Sequence, residues 1–251
     1  NFGKFDYNGT TAVITGGASG MGREIAIAFA ESGAKVVIGD INEEGLASLK
    51  TKIGDACRVI HTDVTNATQV NSLISGAVKE FGSVDIGINC AGGSVPAPIL
   101  EISEEEWDQN LALNLKGLFL VMKDEAIQMR AQGRGGVIIN ITSVTASVSA
   151  LGLAHYASAK AGANHLTRIA ADEFRDLGIR VVGLAPGLIR TPLAEMVWSN
   201  PELRDAYIAN VPCNRVGEVK DIAQTALFLA SKGADYINGE IIHVDGGHKA
   251  N

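Results

Sequence analysis

The sequence predicts an α/β protein built on a doubly wound, seven-stranded parallel sheet with helices on both faces. Three observations lead to this fold class. Short β-branched runs alternate with longer amphipathic stretches along almost the whole chain. The short runs are continuously apolar, as strands buried on both faces require, and a glycine-rich turn follows the first of them. In such a fold, helices cover both faces and ligands bind at the carboxyl ends of the strands.

Seven segments have the composition of buried strands. Each is short and rich in Val, Ile and other residues that favour strands. We predict strands at residues 11–15, 35–40, 57–61, 86–90, 137–143, 180–185 and 240–244.

The stretches between these strands have helical periodicity, and several begin after a Ser, Asn or Asp that can cap a helix. We predict helices at residues 21–31, 43–53, 67–81, 104–132, 153–177 and 219–231. Both signals fade over 187–217, where Pro192, Pro201 and Pro212 interrupt the chain. This segment is predicted to be an irregular insertion that serves as a substrate loop, because long loops in compact domains are often lids.

Composition limits the classes of function. A chain of 251 residues that is 46% hydrophobic fits one domain over 1–251. With 21 Lys and Arg against 28 Asp and Glu, the net charge is −7, which opposes binding to nucleic acid or an anionic membrane. No apolar run approaches the roughly 20 residues of a membrane-spanning helix. The three cysteines and five histidines lack metal-ligand spacing, and no secretory signal is apparent, so we expect a cytoplasmic protein without a metal.

The turn after the first strand has the properties of a phosphate-binding loop. Residues 15–22 read Thr-Gly-Gly-Ala-Ser-Gly-Met-Gly and lead into a helix. Glycines allow the backbone to approach a pyrophosphate, whose charge is favoured at a helix N-terminus. Glycine spacing alone also fits a structural turn, but the flanking strand and helix favour a dinucleotide site. The residues expected to contact the dinucleotide here are Gly16, Ser19, Gly20, Met21 and Gly22.

Asp40 at the end of the second strand predicts the choice of dinucleotide. A carboxylate at this position accepts hydrogen bonds from ribose hydroxyls and repels a 2′-phosphate. The next residues, Ile41 and Asn42, supply no compensating positive charge. We therefore predict NAD rather than NADP, with Asp40 and Ile41 at the adenosine ribose. The alternative is that Asp40 only caps the following helix.

Ser143, Tyr156 and Lys160 are the predicted catalytic residues. Tyr and Lys four residues apart lie on one helix face, and an adjacent ammonium is expected to lower the pKa of the phenol. Hydride transfer to a ketone needs a proton donor and a second hydrogen bond to the oxygen, which suit Tyr156 and Ser143. A Tyr-x3-Lys pair also fits aromatic packing beside a solvated lysine. His155 points about 100° away from Tyr156 on the helix, so we expect it at the pocket wall or the surface.

Together, the glycine-rich turn, Ser143 and Tyr156-x3-Lys160 resemble the short-chain dehydrogenase/reductase family, in its single-domain NAD-dependent form with a Rossmann fold. The resemblance covers nearly the whole chain. It implies that Asn114 completes a catalytic tetrad by bending its helix and holding a water that connects Lys160 to solvent. It also implies that Tyr156 and Lys160 contact the cofactor, with Lys160 at the nicotinamide ribose.

The resemblance adds further cofactor contacts. Residues 89–92, Asn-Cys-Ala-Gly, are similar to the family's Asn-Asn-Ala-Gly motif and depart from it at Cys90; Asn89 and Cys90 also fit a structural role in the central strand. The implied contacts at adenine are Asp63 and Val64, those in the central motif are Asn89, Ala91 and Gly92, and those at the nicotinamide are Pro186, Gly187, Ile189 and Thr191.

These observations predict an NAD(H)-dependent oxidoreductase that interconverts a secondary alcohol and a ketone. Candidate pocket residues are mostly apolar, which favours a small uncharged substrate, and the resemblance implies a homotetramer. Two alternatives remain open: a 3-oxoacyl thioester reductase of the same family and a non-catalytic dinucleotide-binding regulator. A sugar epimerase is disfavoured because no C-terminal substrate domain follows the last strand, and an enoyl reductase because its Tyr and Lys are typically more widely spaced.

Overall fold

The computed structural model describes residues 5–250, which form a parallel sheet with helices on both faces and confirm the predicted fold class. The order of the strands across the sheet is β3-β2-β1-β4-β5-β6-β7, and every neighbouring pair is parallel. The strands β2 and β3 are added on one side of β1, and β4 to β7 are added on its other side. At the point where the strand order changes side, a crevice forms at the carboxyl ends of β1 and β4. The strands are β1 Thr11–Thr15, β2 Lys35–Asp40, β3 Cys57–His61, β4 Ile86–Asn89, β5 Gly136–Ile141, β6 Ile179–Pro186 and β7 Ile241–Val244.

All seven predicted strands are present. The largest difference is in β5, which ends at Ile141 rather than at residue 143. Beyond it, the Ser143 side chain accepts a hydrogen bond from the Thr145 N–H and caps the short 3₁₀ helix Val144–Ala146. The backbone therefore leaves the sheet before Ser143, and this side chain stands above the strand ends.

Helices pack against both faces of the sheet. On one face, α1, α2 and α9 contribute buried residues such as Phe29, Leu49 and Ile222 to the core; on the other, α3, α5 and α6 bury residues such as Leu73 and Met129. No helix within 5–250 is long and apolar enough to cross a membrane. The helices are α1 Gly20–Glu31, α2 Glu43–Ile53, α3 Ala67–Phe81, α4 Glu104–Leu111, α5 Gly117–Gln132, α6 Ala154–Glu173, α7 Glu195–Trp198, α8 Pro201–Ile208 and α9 Val219–Ala230.

Two predicted helices differ from the structure. The stretch 104–132 is not one regular helix, because the π-helical turn Ala112–Lys116 separates α4 from α5. The wider turn directs the fully buried side chain of Asn114 to the backbone of Gly93. The stretch 153–177 forms α6 only as far as Glu173 and continues as a 3₁₀ turn.

The segment 187–217 is more ordered in secondary structure than its prolines suggested. It contains the short helix α7 and the two-turn helix α8. The side chain of Asn200 accepts hydrogen bonds from the N–H groups of Glu202 and Leu203, and Pro201 occupies the first helical position. Proline is favoured at that position, since its missing N–H would have no helical partner there.

Candidate active site

A cavity of about 510 Å³ opens at the carboxyl ends of β1, β2 and β4. The residues that were predicted to bind the dinucleotide and that line this cavity are Gly16, Ser19, Gly20, Met21, Gly22, Asp40, Ile41, Asp63, Val64, Ala91, Gly92 and Thr191. They come from separate segments of the chain and meet because parallel strands end at one edge of the sheet.

The glycine-rich turn is shaped by close backbone approaches. A Cβ at Gly16 would lie 2.7 Å from the Ala91 Cα, and a Cβ at Gly22 would lie 2.2 Å from the Gly16 carbonyl oxygen. Gly16 also has a φ of +68°, which favours glycine. Ser19 begins α1 without a side-chain cap. The turn therefore brings the first N–H groups of α1 to the cavity, an arrangement that fits a pyrophosphate.

The Asp40 carboxylate lies between the glycine-rich turn and the start of α2. Its Oδ2 accepts a hydrogen bond from the Ala18 N–H at 2.9 Å, and its Oδ1 accepts one from the Asn42 N–H at 2.9 Å. Each carboxylate oxygen has a second lone pair, so Asp40 retains acceptors for ribose hydroxyls. None of the described residues that line the cavity is Lys or Arg.

Some predicted residues lie elsewhere. The cavity lining does not include Asn89, whose side-chain amide donates to Glu125 Oε2 and Asn140 Oδ1 inside the protein. Pro186, Gly187 and Ile189 are also outside it, and Ile189 is buried in the core. Sequence reasoning missed several lining residues, most of which adjoin a predicted residue and have no chemical signal of their own. They are Thr62, Thr65, Cys90, Gln109, Ala112, Leu113 and Pro192. Leu193, one of the candidate substrate-pocket residues, lines the cavity as well.

The predicted catalytic side chains lie above β5 and along the first turns of α6. The Ser143 Oγ accepts hydrogen bonds from the Thr145 N–H at 3.2 Å and from the Thr145 hydroxyl at 2.9 Å. The Lys160 Nζ donates to the Ile141 carbonyl at 3.0 Å and lies 5.6 Å from the centre of the Tyr156 ring. Because Thr145 supplies donors to Ser143, the Ser143 hydroxyl proton is left to donate toward Tyr156 or a substrate oxygen.

Burial dominates the electrostatics of this group. It raises the pKa of Tyr156 to about 12, and the hydrogen bond with Ser143 opposes this rise. It also lowers the pKa of Lys160 to about 8. The expectation that Lys160 would lower the phenol pKa is therefore not met, since the low-dielectric surroundings disfavour both charged forms.

Asn114 and Lys160 meet at the loop after β4. A Cβ at Gly92 would lie 2.7 Å from the Asn114 Oδ1 and 3.2 Å from the Lys160 Nζ. Asn114 also bonds both backbone groups of Gly93, accepting from the N–H at 3.1 Å and donating to the carbonyl at 2.8 Å. Gly92 itself lines the cavity, so this loop lies between the cavity and the Lys160 ammonium.

Two hydrogen bonds within the segment 187–217 tie its helices to its first residues. The Trp198 Nε1 donates to the Thr191 carbonyl at 2.9 Å, and the Tyr207 hydroxyl accepts from the Leu188 N–H at 2.8 Å. Thr191 lines the cavity, so α7 is tied to the cavity edge, whereas α8 is tied to the backbone that follows β6.

The fold and this cavity define a Rossmann-type dinucleotide-binding protein. A family model described as enoyl-(acyl carrier protein) reductase matches residues 16–249. The chain is 37% identical to the 7α-hydroxysteroid dehydrogenase of Escherichia coli, over 96% of this chain and 94% of that protein. It is 36% identical to the 3-oxoacyl-[acyl-carrier-protein] reductase FabG of Thermotoga maritima, over 95% and 97%.

A solved structure of 7α-hydroxysteroid dehydrogenase in complex with NADH and 7-oxo glycochenodeoxycholic acid superposes with a TM-score of 0.92. It is 36% identical, and the match covers 97% of this chain and 96% of that one. The chain therefore belongs to the short-chain dehydrogenase/reductase family of oxidoreductases, whose cofactor is a nicotinamide dinucleotide.

Proposed function

We propose that this protein is an NAD(H)-dependent oxidoreductase that interconverts a secondary alcohol and a ketone. The observation that carries the proposal is the grouping of Ser143, Tyr156 and Lys160 at the strand ends, with Lys160 joined to the cavity through Gly92. A proton donor, a second hydrogen-bond donor and a cation are the groups that carbonyl reduction requires.

In this proposal, Tyr156 is the acid/base and Ser143 orients the reacting oxygen. The nicotinamide ring, when bound, supplies or accepts the hydride. Tyr156 delivers a proton to the oxygen in reduction and removes it in oxidation. Ser143 donates its hydroxyl proton to the same oxygen, since Thr145 occupies its acceptor side. Lys160, held by the Ile141 carbonyl, binds the ribose, and Asn114 completes the catalytic tetrad.

The preference for NAD is supported by charge. Asp40 presents a carboxylate at the cavity edge, and the described lining residues include no Lys or Arg to hold a 2′-phosphate. The solved structure of 7α-hydroxysteroid dehydrogenase is a complex with NADH and 7-oxo glycochenodeoxycholic acid. The remaining predicted dinucleotide contacts, Asn89, Pro186, Gly187 and Ile189, are proposed to act through backbone groups or by shaping the cavity wall.

An uncharged substrate is supported by exposed apolar side chains in the loop after β4 and in the segment 187–217. Val95, Leu193 and Met196 are 81%, 60% and 71% exposed, and Leu193 lies within contact distance of a Cβ at Gly93. A substrate that covers these side chains would gain by burying apolar surface. The similarity to a 3-oxoacyl-[acyl-carrier-protein] reductase makes a 3-oxoacyl thioester the second candidate substrate.

Initial rates test this function. NADH and NADPH would be tried with ketones and 3-oxoacyl thioesters, and NAD and NADP with secondary alcohols, with Tyr156→Phe as the negative control. Turnover of uncharged ketones with NADH that is lost in Tyr156→Phe is the expected result. Preferred turnover of 3-oxoacyl thioesters would favour the second candidate. Tight NADH binding without turnover would instead support a regulator.

We further propose a cytoplasmic homotetramer. Free Cys57, Cys90 and Cys213 suit a reducing compartment. Phe119 on α5 and Ile169 on α6 are 42% and 43% exposed, and apolar side chains on two neighbouring helices suit a subunit interface. Light scattering coupled to size-exclusion chromatography would give the mass, and a monomer would contradict this part of the proposal.

A further inference from the structure

Two buried polar side chains that the proposed reaction does not use lie beside the loop after β4. His155 precedes Tyr156 in α6 and is 3% exposed, although it was expected at the pocket wall or surface. Asn110 lies in the last turn of α4 and is 8% exposed. Buried polar groups are stabilising only when their hydrogen bonds are made, so the partners of these two residues indicate what they do.

A chain of hydrogen bonds joins them to Asn114. The Asn114 Nδ2 donates to the Asn110 Oδ1 at 3.0 Å, and the Asn110 Nδ2 donates to the Ser94 Oγ at 3.0 Å. The Ser94 Oγ lies 3.4 Å from the His155 Nε2. The chain thus starts at the π-helical turn and ends next to Tyr156.

These side chains hold the loop 92–94 from two helices and the π-helical turn. Asn114 bonds both backbone groups of Gly93, while Asn110 and His155 bond the side chain of Ser94. Gly92 and Gly93 have no side chains to anchor themselves, so the loop depends on these bonds for its position. Gly92 lines the dinucleotide cavity and approaches the Lys160 Nζ. A shift of the loop would therefore change the cavity wall and the contact with Lys160.

Packing alone does not account for His155. Its Nδ1 is buried without a hydrogen-bond partner within the described residues, and an unpaired buried ring nitrogen destabilises a fold. A phenylalanine would fill a similar volume without that cost. The imidazole therefore serves through its Nε2, which faces Ser94.

We propose that His155 and Asn110 are positioning residues, which hold the loop 92–94 against Lys160 in the geometry that the reaction needs. This inference rests on the proposed function, because its first readout is turnover. The step they influence is the alignment of Tyr156 and Lys160 with the dinucleotide, where small displacements have large effects on rate.

The test compares His155→Phe, which keeps a ring, with His155→Gln, which places an amide near the Nε2 position, and with Asn110→Leu. We expect His155→Phe and Asn110→Leu each to lower kcat by about tenfold, the equivalent of one lost hydrogen bond, with KM for the ketone little changed. His155→Gln should keep most of the kcat of the parent protein. In the double variant His155→Phe/Asn110→Leu, kcat should fall by less than the product of the two single-variant factors, because both bonds act through Ser94. His165→Phe, at an exposed position of α6, is the matched control.

A second arm does not depend on turnover. NADH dissociation constants, followed by fluorescence, should rise in His155→Phe and Asn110→Leu and show the same coupling, with His165→Phe unchanged. If the parent protein binds NADH but turns over no ketone, the proposed function fails while this arm still decides the present inference. Folded variants with lower melting temperatures but unchanged kcat and NADH affinity would overturn it. Should His155→Phe not fold, Asn110→Leu and His155→Gln give the answer.

Discussion

Gly87 in β4 faces the carboxyl group of Glu125 in α5 at such short range that a Cβ at Gly87 would lie 2.4 Å from the Glu125 carboxyl carbon. Glu125 is completely buried, and its Oε2 accepts a hydrogen bond from the Asn89 side chain at 3.0 Å. Asn89 also donates to Asn140, which in turn donates to Thr167. The missing side chain at position 87 therefore makes room for a polar network between the sheet and the helices α5 and α6.

This fit predicts that Gly87→Ala destabilises the protein only while Glu125 is present. The new methyl group would collide with a carboxyl group that is held by Asn89, at a cost of about 1–3 kcal/mol in the free energy of unfolding. In a Glu125→Ala background the space is open, and the same change should be neutral or stabilising, because glycine weakens a strand. Urea unfolding of the four proteins in this cycle provides the measurement. Equal costs in both backgrounds would disprove the complementarity.

The same network predicts a pH dependence of stability. Burial raises the pKa of Glu125 from its ordinary 4.5 to about 8. Between these values the folded protein keeps a proton that the unfolded chain has released, so the contribution of Glu125 falls as pH rises, by up to about 1.4 kcal/mol per pH unit. Glu125→Gln mimics the protonated side chain and lacks this dependence. We expect its advantage over the parent protein to grow from pH 5 to pH 8, about the interval that the pKa shift defines.

Chemical denaturation at several pH values measures that difference, and other titrating groups cancel between the two proteins. A difference that stays flat with pH would mean that Glu125 is ionised in the folded state. The Glu125 Oε1 and the Asn89 Oδ1 both lack a hydrogen-bond donor among the described residues. A proton on Glu125 would supply a hydrogen-bond donor where two acceptors lack one, which agrees with the raised pKa of Glu125.

The sheet was predictable because buried parallel strands have a direct signature in the sequence. Each run of apolar residues, such as 11–15, became a strand at the expected place. Asp40 and the glycine-rich turn could be assigned to one crevice for the same reason, since the carboxyl ends of β1 and β2 share an edge of the sheet.

Other features depended on contacts between distant residues and gave no local signal. Glu125 looks like a solvated residue of an amphipathic helix until Gly87 is placed opposite it. The π-helical turn at Asn114 departs from helical periodicity by one residue only. A bend at Asn114 was implied by the family resemblance alone, and the bonds of Asn114 to Gly93 are visible only in the fold. His155 was expected at a pocket wall or the surface, since nothing near it in the sequence shows that Ser94 and α4 enclose it. In each case the deciding partner is remote in sequence.

Cofactor preference gives a third prediction. Asp40→Ser combined with Ile41→Arg should raise the ratio of kcat/KM for NADP to that for NAD by about a hundredfold, because it removes a repulsion and adds a charged partner for the 2′-phosphate. Ile41 is 65% exposed, so an arginine can be accommodated. Ile41→Arg alone is the control and should change the ratio much less, since the Asp40 carboxylate remains. A parent protein that already prefers NADP would contradict the assignment of Asp40.

Tyr207 carries the last prediction, because it joins α8 to the segment proposed to contact the nicotinamide. The Tyr207 hydroxyl accepts a hydrogen bond from the Leu188 N–H at 2.8 Å and lies 2.9 Å from the position of a Cβ at Gly187. The Tyr207 ring packs edge-on against the His248 ring, with 4.9 Å between the ring centres. Tyr207→Phe removes the acceptor and keeps the ring. The loss of about 1 kcal/mol from one hydrogen bond should weaken NADH binding by about fivefold and speed proteolytic cleavage in 187–217.

Tyr236→Phe, at a fully exposed tyrosine, is the matched control. If Tyr207→Phe binds NADH as tightly as Tyr236→Phe does, then α8 and the dinucleotide site are not coupled through this hydroxyl, and Trp198, bonded to the Thr191 carbonyl, would be the remaining connection.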